Sequence, residues 1–254
     1  MDTNAITNEP TLVFVPCFSG APWDLTQMTP LAARPMRTLR LPEGVADMET
    51  YADAVAEHVA DLDDYILIGD SFGANIALAL ATRRPRGLRA LVLSGGFAAN
   101  PVSSPAWKTA VRAMSTLRGQ AYRQMVLRIH ARRLASPFDA DGQRPWTEAD
   151  SRRLFLDNTP AASFGARANA ALDADYTDRL DRIEVPTLIL SPAYDVLIGE
   201  NAASVMRDGI PGAREVTLER TGHMFRFSHP HAYAQAVEAF IAETVDQHAP
   251  APAV

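Results

Sequence analysis

Six short apolar runs punctuate the chain: "TLVFV" (11–15), "MRTLRL" (36–41), "YILIG" (65–69), "LRALVLSG" (88–95), "PTLIL" (186–190) and "AREVTLE" (213–219). They have the length of strands, and several are apolar at consecutive positions, as strands covered on both faces are. Helical patterns fill the gaps at roughly 49–61, 72–84, 200–208 and 230–246. This alternation predicts an α/β fold: a mainly parallel sheet of about six strands with helices on both faces. The strand C-termini then share one edge, where such sheets bind ligands.

The alternation breaks once. Between Asn100 and Asp181 the segments "SPAWKTAVRAMSTL", "QAYRQMVLRIHARRL" and "EADSRRLFLDN" read as helices, "ASPFDADGQRPW" (135–146) reads as a loop, and no strand is evident. The expected organisation is a core of residues 1–99 and 181–254, with residues 100–180 inserted between two core strands as an all-helical cap. Such an insertion lies over the ligand-binding edge.

Composition narrows the classes. A chain of 254 residues that is 47% hydrophobic and 21% charged can bury a sizeable core. A net charge of -6 argues against a nucleic-acid partner. Residues 101–180 run the other way, with one Lys and 11 Arg against 8 Asp and Glu. That excess reads either as a solvated Arg-rich surface or as a basic wall facing an anionic substrate. No apolar run reaches the ~18 residues of a membrane span. The start, "MDTNAITNEP", is polar and unlike a signal peptide, so the expected compartment is the cytoplasm. The end, "DQHAPAPAV", is expected to fray. Cys17 is the single cysteine, which rules out an intrachain disulfide, and no metal-ligand spacing is present.

The candidate chemistry centres on "ILIGDSFGANIALALA" (66–81), where Gly69-Asp70-Ser71-Phe72-Gly73 matches G-x-S-x-G. A chain of this composition would contain the pattern by chance only ~0.04 times. Ser71 could merely start a helix. Its position between a strand and a helix, however, suits a nucleophile on a sharp turn, with glycines letting backbone pass close and helix N–H groups aimed at developing charge. A serine hydroxyl needs a base, and the base needs an orienting acid. Of the six histidines, His58 and His130 fall in helical patterns, His229 and His231 flank Pro230 at a helix start, and His248 is in the tail. His223, in "ERTGHMFRF", follows the last strand at the same sheet edge as Ser71, and is the expected base. Asp195, in "PTLILSPAYDVLIG", comes five residues after the run ending at Leu190, and is the expected acid. Asp70 reads as a loop or cap contact. Cys17 lacks a recognisable partner for nucleophilic chemistry.

With these residues in order Ser71, Asp195, His223, the chain resembles an α/β-hydrolase of the compact, cofactor-free kind. The likeness runs through "LVFVPCFSGAPWDL", "LRALVLSGGFAANP", "ALDADYTDRLDRIEVPTLILSPAYD" and "GHMFRFSHPHAYAQAVEAFI", covering nearly everything but most of the cap. The resemblance implies a serine hydrolase that cleaves an ester, thioester or lactone of a small-molecule acyl substrate, without metal or cofactor. By the same resemblance, backbone N–H groups of Phe18 and Phe72 form the oxyanion hole. Acyl transfer, release from a carrier-protein thioester and ligand reception use the same constellation and stay open.

The chain departs from the family in several places. Pro16-Cys17 stands where relatives carry His-Gly, Asp70 stands where His or Trp is usual, the loop after Leu41 is short, and two early strands of the larger fold are missing. Candidate substrate contacts are Trp23, Trp107 and Trp146 as pocket walls, each weighed against ordinary packing. Arg128 and Arg132 share a helix face suited to an anionic group.

Overall fold

A computed structural model describes residues 9–102, 104–117, 119–136, 138, 145–199 and 201–245. The expected frayed tail with His248, the first eight residues, and residues 137 and 139–144 of the expected loop lie outside these ranges.

Six strands, β1 (Thr11–Val15), β2 (Met36–Thr38), β3 (Tyr65–Asp70), β4 (Leu88–Ser94), β5 (Thr187–Tyr194) and β6 (Arg214–Gly222), form one sheet. The order is β2-β1-β3-β4-β5-β6, and every neighbouring pair is parallel. This is the parallel sheet of six strands expected from the alternation. In the central strands successive side chains serve opposite faces. Val13, Leu67 and Leu91 pack towards α1 (Met48–His58) and α2 (Phe72–Ala81), in one cluster with Tyr51, Ile76 and Leu80. Phe14, Ile68 and Val92 pack in the second cluster, with Tyr233, Val237 and Ile241 of α9 (Pro230–Thr244). Burial on both faces is why these runs read as continuously apolar.

Between β4 and β5 the described chain is helical, with α3 (Pro105–Leu117), α4 (Gly119–Leu134), α5 (Glu148–Asn158) and α6 (Ala161–Asp173). The sequence pattern missed α6. Its inward face carries Ser163, Gly165 and Arg167 as well as Phe164 and Leu172, so it has no clean apolar stripe. Tyr122, Leu127, Phe155 and Phe164 of α4 to α6 pack with Phe18 after β1, Leu197 after β5 and Met224 after β6. Those three loops lie at the C-terminal edge of the sheet.

Two strand ends also differ from expectation. β2 stops at Thr38, although Leu39 and Leu41 stay buried in the core beyond it. β5 runs on to Tyr194, so Asp195 follows the strand directly rather than after a gap. Pro192 obscured this extension. It is tolerated because beyond Leu190 β5 pairs only with β6, across a register irregularity between Pro192 and Tyr194. The chain then continues through α7 (Asn201–Gly209), β6 and α8 (Phe225–Ser228) to α9.

Candidate active site

Because the sheet is parallel, Ser71, Asp195 and His223, each directly after a strand, are delivered to one edge. Ser71 sits between β3 and α2 with φ 54° and ψ -114°, a conformation that costs a non-glycine residue about 1–3 kcal/mol. Its N–H donates to Ser94 O at 2.7 Å. The flanking glycines are sterically required. A Cβ on Gly69 would lie 2.4 Å from Gly73 O, and one on Gly73 would lie 2.3 Å from Val15 O. The glycines therefore let β3, α2 and the end of β1 converge at the serine.

The three side chains are hydrogen-bonded in series. Ser71 Oγ lies 2.9 Å from His223 Nε2, and His223 Nδ1 lies 2.8 Å from Asp195 Oδ2. The other Asp195 oxygen accepts the N–H groups of Leu197 (2.8 Å) and Ile198 (3.0 Å), which fixes the carboxylate plane. An ionised Asp195 can only accept, so Nδ1 carries the imidazole proton and Nε2 is left to accept from the serine hydroxyl. Burial pushes the Asp195 carboxyl up, but the charge and hydrogen bond of His223, with the two N–H groups, outweigh it and hold it below the usual range. Burial pushes His223 down, but the charge and hydrogen bond of Asp195, and the charge of Asp70, leave it raised.

Asp70 makes its contact with the histidine loop. It ends β3, is buried, and accepts from Arg226 Nε at 2.7 Å. The Arg226 guanidinium lies 4.0 Å from the Trp23 ring centroid and 3.6 Å from that of Phe227. Sequence reasoning passed over Arg226, although a lone arginine within "HMFRF" was the available signal.

The turn after β1 brings Phe18 to the same edge. Its ring meets that of Phe72 edge-on at 5.6 Å. Among the described residues, neither the Phe18 nor the Phe72 N–H donates to a protein acceptor. Cys17 is buried, with its thiol 3.3 Å from Ser19 Oγ, and burial together with the Asp70 charge pushes the thiol pKa up. It is the wrong state for a nucleophile.

The expected substrate contacts are placed differently. Trp23 is buried in the core, donating from Nε1 to Val15 O, with its ring tilted against Phe14 and edge-on to Tyr233. Trp107, 55% exposed, projects from α3. Trp146 is half-buried, donates to Ser151 Oγ and packs on Phe227, just beyond the His223 loop. Arg128 and Arg132 are exposed, and Arg132 pairs with Glu148 at the surface, so the shared helix face points to solvent. A cavity of about 200 Å³ lies beside Asp195, lined by Gly95, Gly96, Leu190, Ile198, Ala202 and Met206. Ser71 is not on its wall. Among the described residues, no helix is long and apolar enough to cross a membrane.

A sequence model of the alpha/beta hydrolase family matches residues 12–236. A pimeloyl-acyl-carrier-protein methyl ester esterase of Neisseria meningitidis is 30% identical over 209 residues, covering 79% of this chain and 64% of that protein. A proline iminopeptidase of Saccharolobus solfataricus is 25% identical over 195 residues, covering 70% and 62% respectively. The chain thus spans just under two thirds of either relative. Among solved structures, a thermophilic esterase from Thermogutta terrifontis superposes with a TM-score of 0.77 at 22% identity, covering 92% of this chain and 90% of that one.

Proposed function

The chain belongs to the alpha/beta hydrolase family, and on that premise we propose that it is a serine hydrolase cleaving a carboxylic ester, thioester or lactone through an acyl-enzyme on Ser71. The observation that carries this reading is the unbroken series Ser71 Oγ, His223 Nε2, His223 Nδ1, Asp195 Oδ2, with links of 2.9 and 2.8 Å. The esterase relative supports the bond class.

In this mechanism Ser71 Oγ attacks the substrate carbonyl carbon while its proton passes to His223 Nε2. Asp195 holds the imidazole in the reactive tautomer and balances its positive charge. The carbonyl oxygen becomes an oxyanion, and the free N–H groups of Phe18 and Phe72 are its donors. Collapse of the intermediate breaks the bond to the leaving group, which takes the proton from His223. Water then repeats the sequence, giving its proton to His223 and expelling the Ser71 oxygen, which regains it. Residues 100–180 act as a cap that shapes the acyl cleft, and Trp146 is the candidate wall nearest the histidine loop.

The test is reaction with a fluorophosphonate probe, with the labelled peptide identified by mass spectrometry. Label on Ser71 is expected, lost in Ser71→Ala and His223→Ala. Ser71→Ala should also lower kcat on an activated ester by about 10⁴ or more. A folded protein that takes no label, or a Ser71→Ala variant of near wild-type turnover, overturns the reading. Product analysis with added alcohol or amine separates hydrolysis from acyl transfer.

A further inference from the structure

Helices α5 and α6 reach into the turn that carries Phe18, and we propose that Arg167 and Thr159 are positioning residues that hold the oxyanion donor in place. The hole is then assembled only with these helices docked on the turn. The inference rests on the serine-hydrolase reading of the site.

The turn runs from Cys17 to Gly20, closed by Gly20 N–H donating to Cys17 O at 2.9 Å. That bond fixes the plane of the Cys17–Phe18 peptide. In a trans peptide the N–H points opposite to the C=O, so the Phe18 N–H is turned outward, away from the closing bond. The next two carbonyls, Phe18 O and Ser19 O, both accept from Arg167 Nη1 at 2.9 Å. Ser19 O also accepts from Thr159 Oγ1 at 3.0 Å, and Gly20 O accepts from Leu41 N–H at 3.1 Å. Each carbonyl of the turn is thus held, two of them by the inserted helices. The same helices grip the Phe18 side chain, whose ring lies 4.9 Å from that of Phe164 and 6.2 Å from that of Phe155.

Arg167 is not explained by packing alone. It is 1% exposed and, among the described residues, forms no ion pair with a carboxylate. Its other polar contacts are Pro42 O, 3.5 Å from Nη2, and the Tyr51 hydroxyl. A buried cation balanced by such neutral dipoles is a costly way to fill space, and an apolar side chain of similar volume would serve a core equally well. The turn is shaped around it. Gly20 has φ +71°, and a Cβ there would stand 2.3 Å from Arg167 Nη2. What the guanidinium does that a methionine could not is hold two successive carbonyls of one turn from a single nitrogen.

The test compares Thr159→Val and Arg167→Lys with wild type, using p-nitrophenyl butyrate for kcat and KM and a trifluoromethyl ketone as an oxyanion-forming inhibitor. Thr159→Val should lower kcat about 10-fold and Arg167→Lys about 100-fold, with KM within about threefold. The inhibition constant of the ketone should rise in step with the loss in kcat/KM, a proportionality that a purely structural role would not produce. Should Arg167→Lys fail to fold, Thr159→Val, which changes no charge and little volume, decides. Folded variants whose kcat and ketone affinity stay within about twofold of wild type overturn the proposal, even if their Tm falls. Absence of fluorophosphonate label on wild-type Ser71 overturns the serine reading and this inference with it. Label on wild type, with equal labelling rates in both variants, overturns this inference alone.

Discussion

Arg226 Nε donates to Asp70 Oδ2 at 2.7 Å, and both side chains are 4% exposed. Asp70 immediately precedes Ser71, and Arg226 lies three residues beyond His223. The pair therefore ties the nucleophile turn to the histidine loop from behind. The rings of Trp23 and Phe227 pack on the guanidinium, with centroids 4.0 and 3.6 Å from it, and help to shield it from water.

Removing one partner leaves a charge buried without compensation. Arg226→Met is expected to destabilise the protein by about 3–5 kcal/mol in urea unfolding. Adding Asp70→Asn should recover part of that loss, giving a coupling energy in the double-mutant cycle. A loss below about 1 kcal/mol for the single variant would mean that the pair behaves like a surface ion pair.

His223 acts as a base only when neutral, and its pKa lies above the ordinary 6.5 because Asp195 and Asp70 outweigh burial. The kcat/KM profile should therefore fall on the acid side with a midpoint above 6.5. The same shift has the opposite sense for stability. Protonated His223 favours the fold below its unfolded pKa, and that contribution is lost as pH rises through the folded value. Asp195→Asn should move the midpoint down while cutting kcat by about 10⁴. A wild-type midpoint at or below 6.5 contradicts the expectation.

Gly73 has no room for a side chain, since a Cβ would meet Val15 O at 2.3 Å and Pro16 O at 2.4 Å. Both contacts are backbone, so relief requires β1 and α2 to separate. Gly73→Ala is expected to cost at least ~2 kcal/mol, read as a lower Tm, and to reduce fluorophosphonate labelling of Ser71. A variant with unchanged Tm and labelling rate would show that the turn can relax freely.

The Cys17 thiol should stay silent in the native protein. Burial and the Asp70 charge keep it protonated, and Ser19 Oγ occupies it. Titration with a chromogenic disulfide at pH 8 is expected to detect the thiol only after denaturation. Cys17→Ala should keep kcat within about threefold, because the residue supplies no group to the reaction. Rapid native modification with parallel loss of activity would assign Cys17 a part in the chemistry.

The six strands were legible because both faces of the central ones are covered, so their apolar runs are nearly continuous. Ser71 was legible because a sharp strand-to-helix turn demands Gly69 and Gly73, and that demand is written in the sequence. The positions of Asp195 and His223 followed from parallel strands ending at one edge. The extension of β5 was hidden behind Pro192, and α6 behind a buried face that mixes Ser163, Gly165 and Arg167 with apolar residues.

What the sequence determined by itself, then, was the layered sheet and the order of the candidate triad, because both depend on local periodicity and turn chemistry. Only the tertiary structure decided which polar residues are buried and what they touch. Asp70 and Arg226 are 156 positions apart, Arg167 and Phe18 are 149 apart, and Arg128 and Arg132 turned out to face solvent. Nothing in a single side chain's neighbourhood along the chain states its partner in space. A buried charge is tolerated only where the completed fold supplies the compensating group.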